Sequence, residues 1–225
     1  LKMKRVIKDT ADGSKTIFVE ALDEHYHSIH GALAESRHVF IQSGLNAIER
    51  ENVSILEIGF GTGLNAITTL ERNKELQRNI HYTGVEAYPV LTSDFAQLNY
   101  GKLDIEESIL PYLDKIHHAK WEKFQEITAD FNLKKVEQKF QDINDSEAFD
   151  LIYFDAFAPG IQPELWTEAV FKLMFKALRP NGILVTYCAK GQVKRNMKAA
   201  GFTIEALPGP PGKREMTRAV KLDSE

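Results

Sequence analysis

Carboxylates and glycines carry the chemistry that this sequence can perform. Glu57, Gly59, Gly61 and Gly63 alternate through the run Ile55-Leu56-Glu57-Ile58-Gly59-Phe60-Gly61-Thr62-Gly63. The apolar stretch Val53–Ile58 reads as a buried strand and Leu64–Leu70 has helical spacing, so the glycines form the turn between strand and helix. Such a turn lets backbone approach a nucleotide-like ligand closely, because no Cβ stands in the way. A dinucleotide site requires G-x-G-x-x-G, which this run lacks, and a nicotinamide-dependent dehydrogenase is disfavoured on that ground. Glu86 ends a second strand, His81–Glu86, about twenty residues beyond the last glycine, where a carboxylate accepts both ribose hydroxyls. Asp142 is placed to accept from an adenine amino group, although residues 142–145 read equally well as an ordinary loop. Asp155 ends the buried strand Phe149–Asp155 and precedes a stiff Ala-Phe-Ala-Pro-Gly turn. A carboxylate there suits a nitrogen nucleophile, accepting a hydrogen bond from an amine and aiming its lone pair. An ordinary carboxylate is a weak base for an aliphatic amine, so orientation is the safer role. Tyr153, Phe157 and Trp166 either wall a pocket or pack in the core.

These residues need a scaffold that gathers strand ends. Strands and helices alternate from residue 53 to 200 and two strands close the chain, which predicts an α/β fold: a doubly wound, mostly parallel sheet with an antiparallel edge. Residues 1–50 read as an N-terminal extension and 51–225 as the main domain. In the extension a β-hairpin is expected over 4–20 around Ala11-Asp12-Gly13-Ser14, followed by a helix over Ala32–Ile48. Residues 90–120 read as helical with Pro111 as a break, and 124–131 and 134–140 as a hairpin around Asn132. Leu165–Leu178 reads as an amphipathic helix leaving through Arg179-Pro180-Asn181-Gly182, with a strand over Gly182–Cys188. A short helix, Gln192–Ala200, ends at Gly201, and strands 202–207 and 215–222 are joined by Pro208-Gly209-Pro210-Pro211-Gly212.

Composition sets bounds. With 43% hydrophobic and 27% charged residues the 225-residue chain reads as an ordinary globular protein, without an apolar run of membrane-spanning length or a signal segment. The single cysteine, Cys188, excludes an internal disulfide and reads as a buried, inert thiol, which suits the reducing cytoplasm. His25, His27, His30 and His38 match no metal-ligand spacing, so no metal is expected. The net charge of -4 argues weakly against nucleic acid, yet bases cluster beyond Asn181 and leave a phosphate-facing end open; a solvated helix face explains Lys190–Lys198 as well.

Several blocks in order carry a resemblance over residues 24–220. The form E-x-G-x-G-x-G resembles motif I of the S-adenosyl-L-methionine-dependent methyltransferases. The stretches Tyr26-His27-Ser28, Gly31–Phe40, Gly59–Asn65, Asp155–Pro159, Pro163–Trp166, Gly191–Arg195 and Gly212–Met216 resemble the methyltransferase domain of the bifunctional tRNA-modifying MnmC enzymes and their stand-alone relatives. That resemblance implies N-methylation of 5-aminomethyl-(2-thio)uridine at the wobble position of tRNA, in the anticodon loop. It implies that Glu57, the three glycines, Glu86 and Asp142 hold S-adenosyl-L-methionine, with Tyr26 and Ser28 near its methionine end. Asp155 then faces the substrate amine beside the cofactor, with Phe157 at the substrate, and Lys213 and Arg214 are the candidates for the RNA phosphates. The flavin-dependent oxidase half of MnmC has no counterpart in these residues, so a separate protein is expected to supply the aminomethyl precursor. The alternatives are an aminopropyl- or methyltransferase acting on a small amine, and an RNA-binding module without turnover. The intact glycines and Asp155 speak against the last.

Overall fold

The strand that leads into the glycine turn lies at the centre of the sheet. The computed structural model of the chain describes residues 5–9, 15–19, 24–25, 31–91, 95 and 104–223. In chain order the strands are β1 (Arg5–Asp9), β2 (Lys15–Val19), β3 (Glu24–His25), β4 (Asn52–Ile58), β5 (Asn79–Glu86), β6 (Phe124–Thr128), β7 (Phe131–Glu137), β8 (Phe149–Phe154), β9 (Leu178–Thr186), β10 (Thr203–Pro208) and β11 (Glu215–Val220). The α-helices are α1 (Ala32–Ser36), α2 (Leu64–Leu76), α3 (Leu110–His118), α4 (Glu168–Ala177) and α5 (Gly191–Ala199). The main sheet runs β10-β11-β9-β8-β4-β5-β7-β6. Its inner five strands, β9 to β7, pair in parallel, while β6 at one edge and β11 with β10 at the other are antiparallel. The chain leaves β4 for β5 and β7 on one side, then returns to β8 on the other. The crevice beyond the carboxyl ends of β4 and β8 is therefore the topological switch point, where sheets of this kind bind ligands.

Burial follows the period of each element. All six residues of β8 are buried, as a central parallel strand covered on both faces requires. In β7 alternate residues are buried, with Phe131, Leu133 and Lys135 inside. The N-terminal hairpin forms as expected and pairs β1 with β2, though not with the main sheet; its turn lies outside the described residues. Residues 32–48 are not one α-helix: α1 passes into a π-helical turn over Arg37–Gln42 and a 3-10 turn over Leu45–Ala47. Leu33, Val39, Phe40, Ile41, Leu45 and Ile48 nonetheless share the core with strand residues of the sheet, and Arg37 clamps Glu71 of α2.

Four local readings are corrected. The β6–β7 turn falls at Ala129-Asp130, not Asn132: Thr128 Oγ1 donates to Asp130 Oδ1 at 2.6 Å, and Asn132 pairs inside β7 with His81 and Glu126. Pro111 occupies the first turn of α3, where its missing N–H costs nothing, so it starts a helix instead of breaking one. Pro163–Trp166 is a separate 3-10 turn, and α4 begins after Thr167, whose hydroxyl accepts from Val170 N–H. The segment Arg179–Gly182 is no loop after α4. It lies within β9 as an irregularity opposite Phe149–Leu151, with Asn181 at φ 61. Among the described residues no helix is long and apolar enough to cross a membrane.

The two ends of the sheet treat buried acid differently. At the amino end Asp150 is buried between Arg50 Nη1 at 3.0 Å and Arg179 Nη1 at 2.7 Å, and also takes the Ser54 N–H at 2.8 Å. At the carboxyl end Phe60 of the glycine turn folds back over β5, and a Cβ on Gly84 would stand 2.1 Å from Cδ2 of its ring. Gly84→Ala should therefore cost roughly 1–3 kcal/mol in urea unfolding, the range for an overpacked core. Phe60→Leu in the same chain should recover part of that loss. Simple additivity of the two changes would show that the ring does not impose the glycine.

Candidate active site

Backbone contacts bring the three strand ends together. Asp155 N–H donates to Ile58 O at 2.9 Å, and the N–H groups of Gly59 and Phe60 both reach Val85 O at 3.0 Å. The exits of β8 and β5 are thus drawn onto the start of the glycine turn. Gly59 has φ 89, and a Cβ there would stand 2.5 Å from the Asp155 carbonyl oxygen. Only glycine admits both the conformation and the approach. Gly61 and Gly63 also have positive φ, and Gly63 opens α2. The turn is braced from outside by His117, whose ring Nε2 lies 3.0 Å from Thr62 O. Burial pushes that imidazole down to about 4, so it is neutral at pH 7 and Nε2–H donates to the carbonyl. Lys135 donates to His117 O at 2.8 Å and holds the end of α3 in place.

Three carboxylates surround the turn, each held differently. Glu86 Oε2 accepts Gly61 N–H at 3.0 Å and Oε1 accepts Tyr88 N–H at 2.9 Å, so backbone fixes it beside the glycines. Glu57 is buried, with Oε2 accepting Tyr82 O–H and Oε1 accepting Asn65 Nδ2, each at 2.8 Å. Burial holds its carboxyl well above the usual range, against the pull of those two hydrogen bonds. Asp155 Oδ2 accepts the other Asn65 N–H at 2.8 Å. Burial pushes Asp155 up to about 7; the negative charge of Glu35 adds to the rise, and the Asn65 hydrogen bond and Lys213 oppose it.

The remaining expected residues are spread around this centre. Asp142 is exposed at the end of a 3-10 turn, Phe140–Asp142, beyond the carboxyl end of β7. Phe157 is half-buried, and its carbonyl accepts Trp166 Nε1–H at 2.7 Å. Trp166 packs edge-on against Phe154 and Tyr187, and Tyr153 lies between Phe40 and Tyr82; both are core residues, not pocket walls. Cys188 is buried just past the end of β9, and burial pushes its thiol up. Lys213 turns inward: its Nζ pairs with Glu35 Oε2 at 2.7 Å and sits 4.2 Å from the centre of the Tyr187 ring, while the Tyr187 hydroxyl donates to Ala156 O at 2.8 Å. Arg214 is exposed. Tyr26 and Ser28 lie outside the described residues.

Sequence reasoning assigned no role to Asn65, Ser36, Glu35 or Tyr82. One signal was present: Asn65, Thr68, Thr69 and Asn73 are polar residues on the buried face of α2. A helix that turns such residues inward, against propensity, serves a polar network.

The site fits a sulfonium-bearing nucleoside: the glycine turn opens backbone to close approach, and the Glu86 and Asp155 carboxyl groups beside it suit a ligand with hydroxyls and positive charge. Residues 105–222 match the family described as S-adenosyl-L-methionine-dependent methyltransferase. A protein of Cupriavidus metallidurans named as tRNA 5-methylaminomethyl-2-thiouridine biosynthesis bifunctional protein MnmC is 31% identical over 214 residues, which is 88% of this chain and 31% of that one. The chain spans about a third of the length of the curated relatives it matches. The crystal structure of MnmC2 from Aquifex aeolicus aligns with a TM-score of 0.78 at 26% identity, covering 100% of this chain and 74% of that one. A probable spermidine synthase from Corynebacterium glutamicum shares the fold, with a TM-score of 0.54 and 16% identity over 100% of this chain and 78% of that one. The chain belongs to the S-adenosyl-L-methionine-dependent methyltransferases, and S-adenosyl-L-methionine is its cofactor.

Proposed function

We propose that the enzyme N-methylates 5-aminomethyl-(2-thio)uridine at the wobble position of tRNA, giving 5-methylaminomethyl-(2-thio)uridine. The observation that carries this reading is Asp155. It is a carboxylate fixed against the glycine turn, with raised basicity and, among the described residues, a donor on Oδ2 but none on Oδ1. The names of the MnmC relative and of the MnmC2 structure support the choice of tRNA and of the aminomethyl group. In this reading the enzyme works in the cytoplasm, and another catalytic unit supplies the aminomethyl-uridine.

In the proposed site Gly59, Gly61, Gly63, Glu86 and Asp142 would hold the cofactor, with Glu86 as acceptor for ribose hydroxyls and Asp142 for the adenine amino group. Glu57, 1% exposed, acts through Asn65, whose amide it holds on Oε1. Tyr26 and Ser28 complete the methionine end. S-adenosyl-L-methionine supplies a methyl carbon already activated by its sulfonium sulfur. Asp155 accepts a hydrogen bond from the substrate amine and turns its lone pair toward that carbon. As the methyl group reaches nitrogen, Asp155 would take the surplus proton from nitrogen and pass it to solvent. The raised carboxyl helps: an aliphatic amine near 10.4 lies roughly three units above Asp155, against about six for an ordinary aspartate. Phe157 flanks the acceptor base. Lys213, held by Glu35, lines the mouth of the pocket, and Arg214 meets the RNA phosphates.

Enzyme incubated with aminomethyl-bearing tRNA and labelled S-adenosyl-L-methionine should yield the methylaminomethyl nucleoside by mass analysis. Asp155→Ala should lower turnover about 100-fold or more while cofactor affinity stays within a few-fold. Normal turnover by that variant would remove Asp155 from the site, and methylation of putrescine but not tRNA would place the substrate among small amines.

The protonation of Asp155 has a second consequence. Its carboxyl is raised in the fold above its ordinary 3.8, so the fold binds that proton more tightly than the unfolded chain does. The stability this gives is complete below about pH 4 and is lost as pH rises toward 7. Asp155→Asn should therefore match wild type near pH 4 and exceed it at pH 8 by up to roughly 4 kcal/mol, less what solvent at the mouth screens. Equal stability of the two proteins at pH 8 would show that Asp155 is not strained.

A further inference from the structure

We propose that Asn65 is the positioning residue for Asp155, and that the Ser36 hydroxyl decides which way the Asn65 amide faces. Asn65 lies on the first turn of α2 and is 3% exposed. Its Nδ2 gives one hydrogen to Glu57 Oε1 and the other to Asp155 Oδ2, both at 2.8 Å, and its Oδ1 accepts Ser36 O–H at 2.7 Å. Both amide hydrogens are thereby committed, and each goes to a carboxylate.

The orientation of the amide follows from its partners. Turned by half a rotation, Oδ1 would face two carboxylate oxygens that offer no hydrogen when ionised. Ser36 fixes the productive choice from the other side, and its own hydroxyl lies 2.8 Å from Thr68 Oγ1. A rigid donor on Oδ2 leaves Oδ1 as the oxygen turned to the acceptor amine. The inference thus rests on the reading of Asp155 as the residue that meets that amine. The donor also favours the ionised carboxylate, the form able to accept a hydrogen bond.

The charges that face Asp155 come from every element packed around it. They are Glu57 on β4, Glu35 at the end of α1 and Lys213 on the β10–β11 loop, with Tyr82 of β5 acting through Glu57. Removing Asn65 takes away the hydrogen bond that holds Asp155 down, while Glu35 continues to push it up.

The test uses the full chain with Asn65→Leu, close in shape but without donors, and Ser36→Ala. Carbon-13 NMR of the labelled aspartate carboxyls, recorded without cofactor, follows the Asp155 titration, which Asp155→Asn assigns. Asn65→Leu should raise it by about one pH unit, and the acid limb of kcat/KM for methyl transfer should move up with it. Ser36→Ala should shift both in the same direction by less, and its binding of S-adenosyl-L-homocysteine should stay within about three-fold of wild type. An Asp155 titration that stays put in both variants overturns the proposal; if Asn65→Leu does not fold, Ser36→Ala decides alone. A wild-type enzyme that methylates no aminomethyl-tRNA would instead sink the substrate reading, while the NMR titration still decides the positioning role.

Discussion

Three carboxylates crowd one low-dielectric end of a parallel sheet, and the rest of the site is arranged to tolerate them. Glu86 is stabilised by backbone N–H groups, Glu57 by a phenol and an amide, and Asp155 by that same amide with the more distant charge of Lys213. Asp150 at the opposite end of the sheet is held instead by two arginines. A shift of about three pKa units at Asp155 corresponds to roughly 4 kcal/mol at neutral pH. A fold retains such strain where a cation will bind or a proton must move, which is the usual exchange of stability for activity at a catalytic site.

The N-terminal segment takes part in this arrangement. The end of α1 delivers Ser36 to Asn65 and Glu35 to Lys213, and both contacts converge on Asp155. The following turn is π-helical, a distortion that recurs at functional sites. Lys213 comes from the far edge of the sheet, and its ion pair with Glu35 joins two chain segments remote in sequence.

Much of the scaffold was legible because its signals are local. The glycine turn, the apolar strands Val53–Ile58 and Phe149–Phe154, and the Gly201 helix stop each follow from steric rules that act within a few residues. The β6–β7 turn was misplaced because Asp130, not Asn132, makes the turn-closing hydrogen bond, and alternation alone does not separate the two. Arg179–Gly182 has the composition of a loop, yet Arg179 is recruited by Asp150, which keeps the segment in the sheet. In the site, acids at strand ends could be read from strand patterning. The partners of those acids could not, because Asn65 reaches Asp155 across 90 positions and Lys213 reaches Glu35 across 178.

The central claim is geometric: the cofactor lies over the glycine turn with its reactive carbon directed at an amine that Asp155 holds. Crystals grown with S-adenosyl-L-homocysteine and 5-aminomethyluridine test it most directly. The account predicts adenosine above Gly59–Gly63, ribose hydroxyls on Glu86, and the acceptor nitrogen within hydrogen-bonding distance of Asp155 Oδ1. Density for either molecule away from the carboxyl ends of β4, β5 and β8 would contradict it.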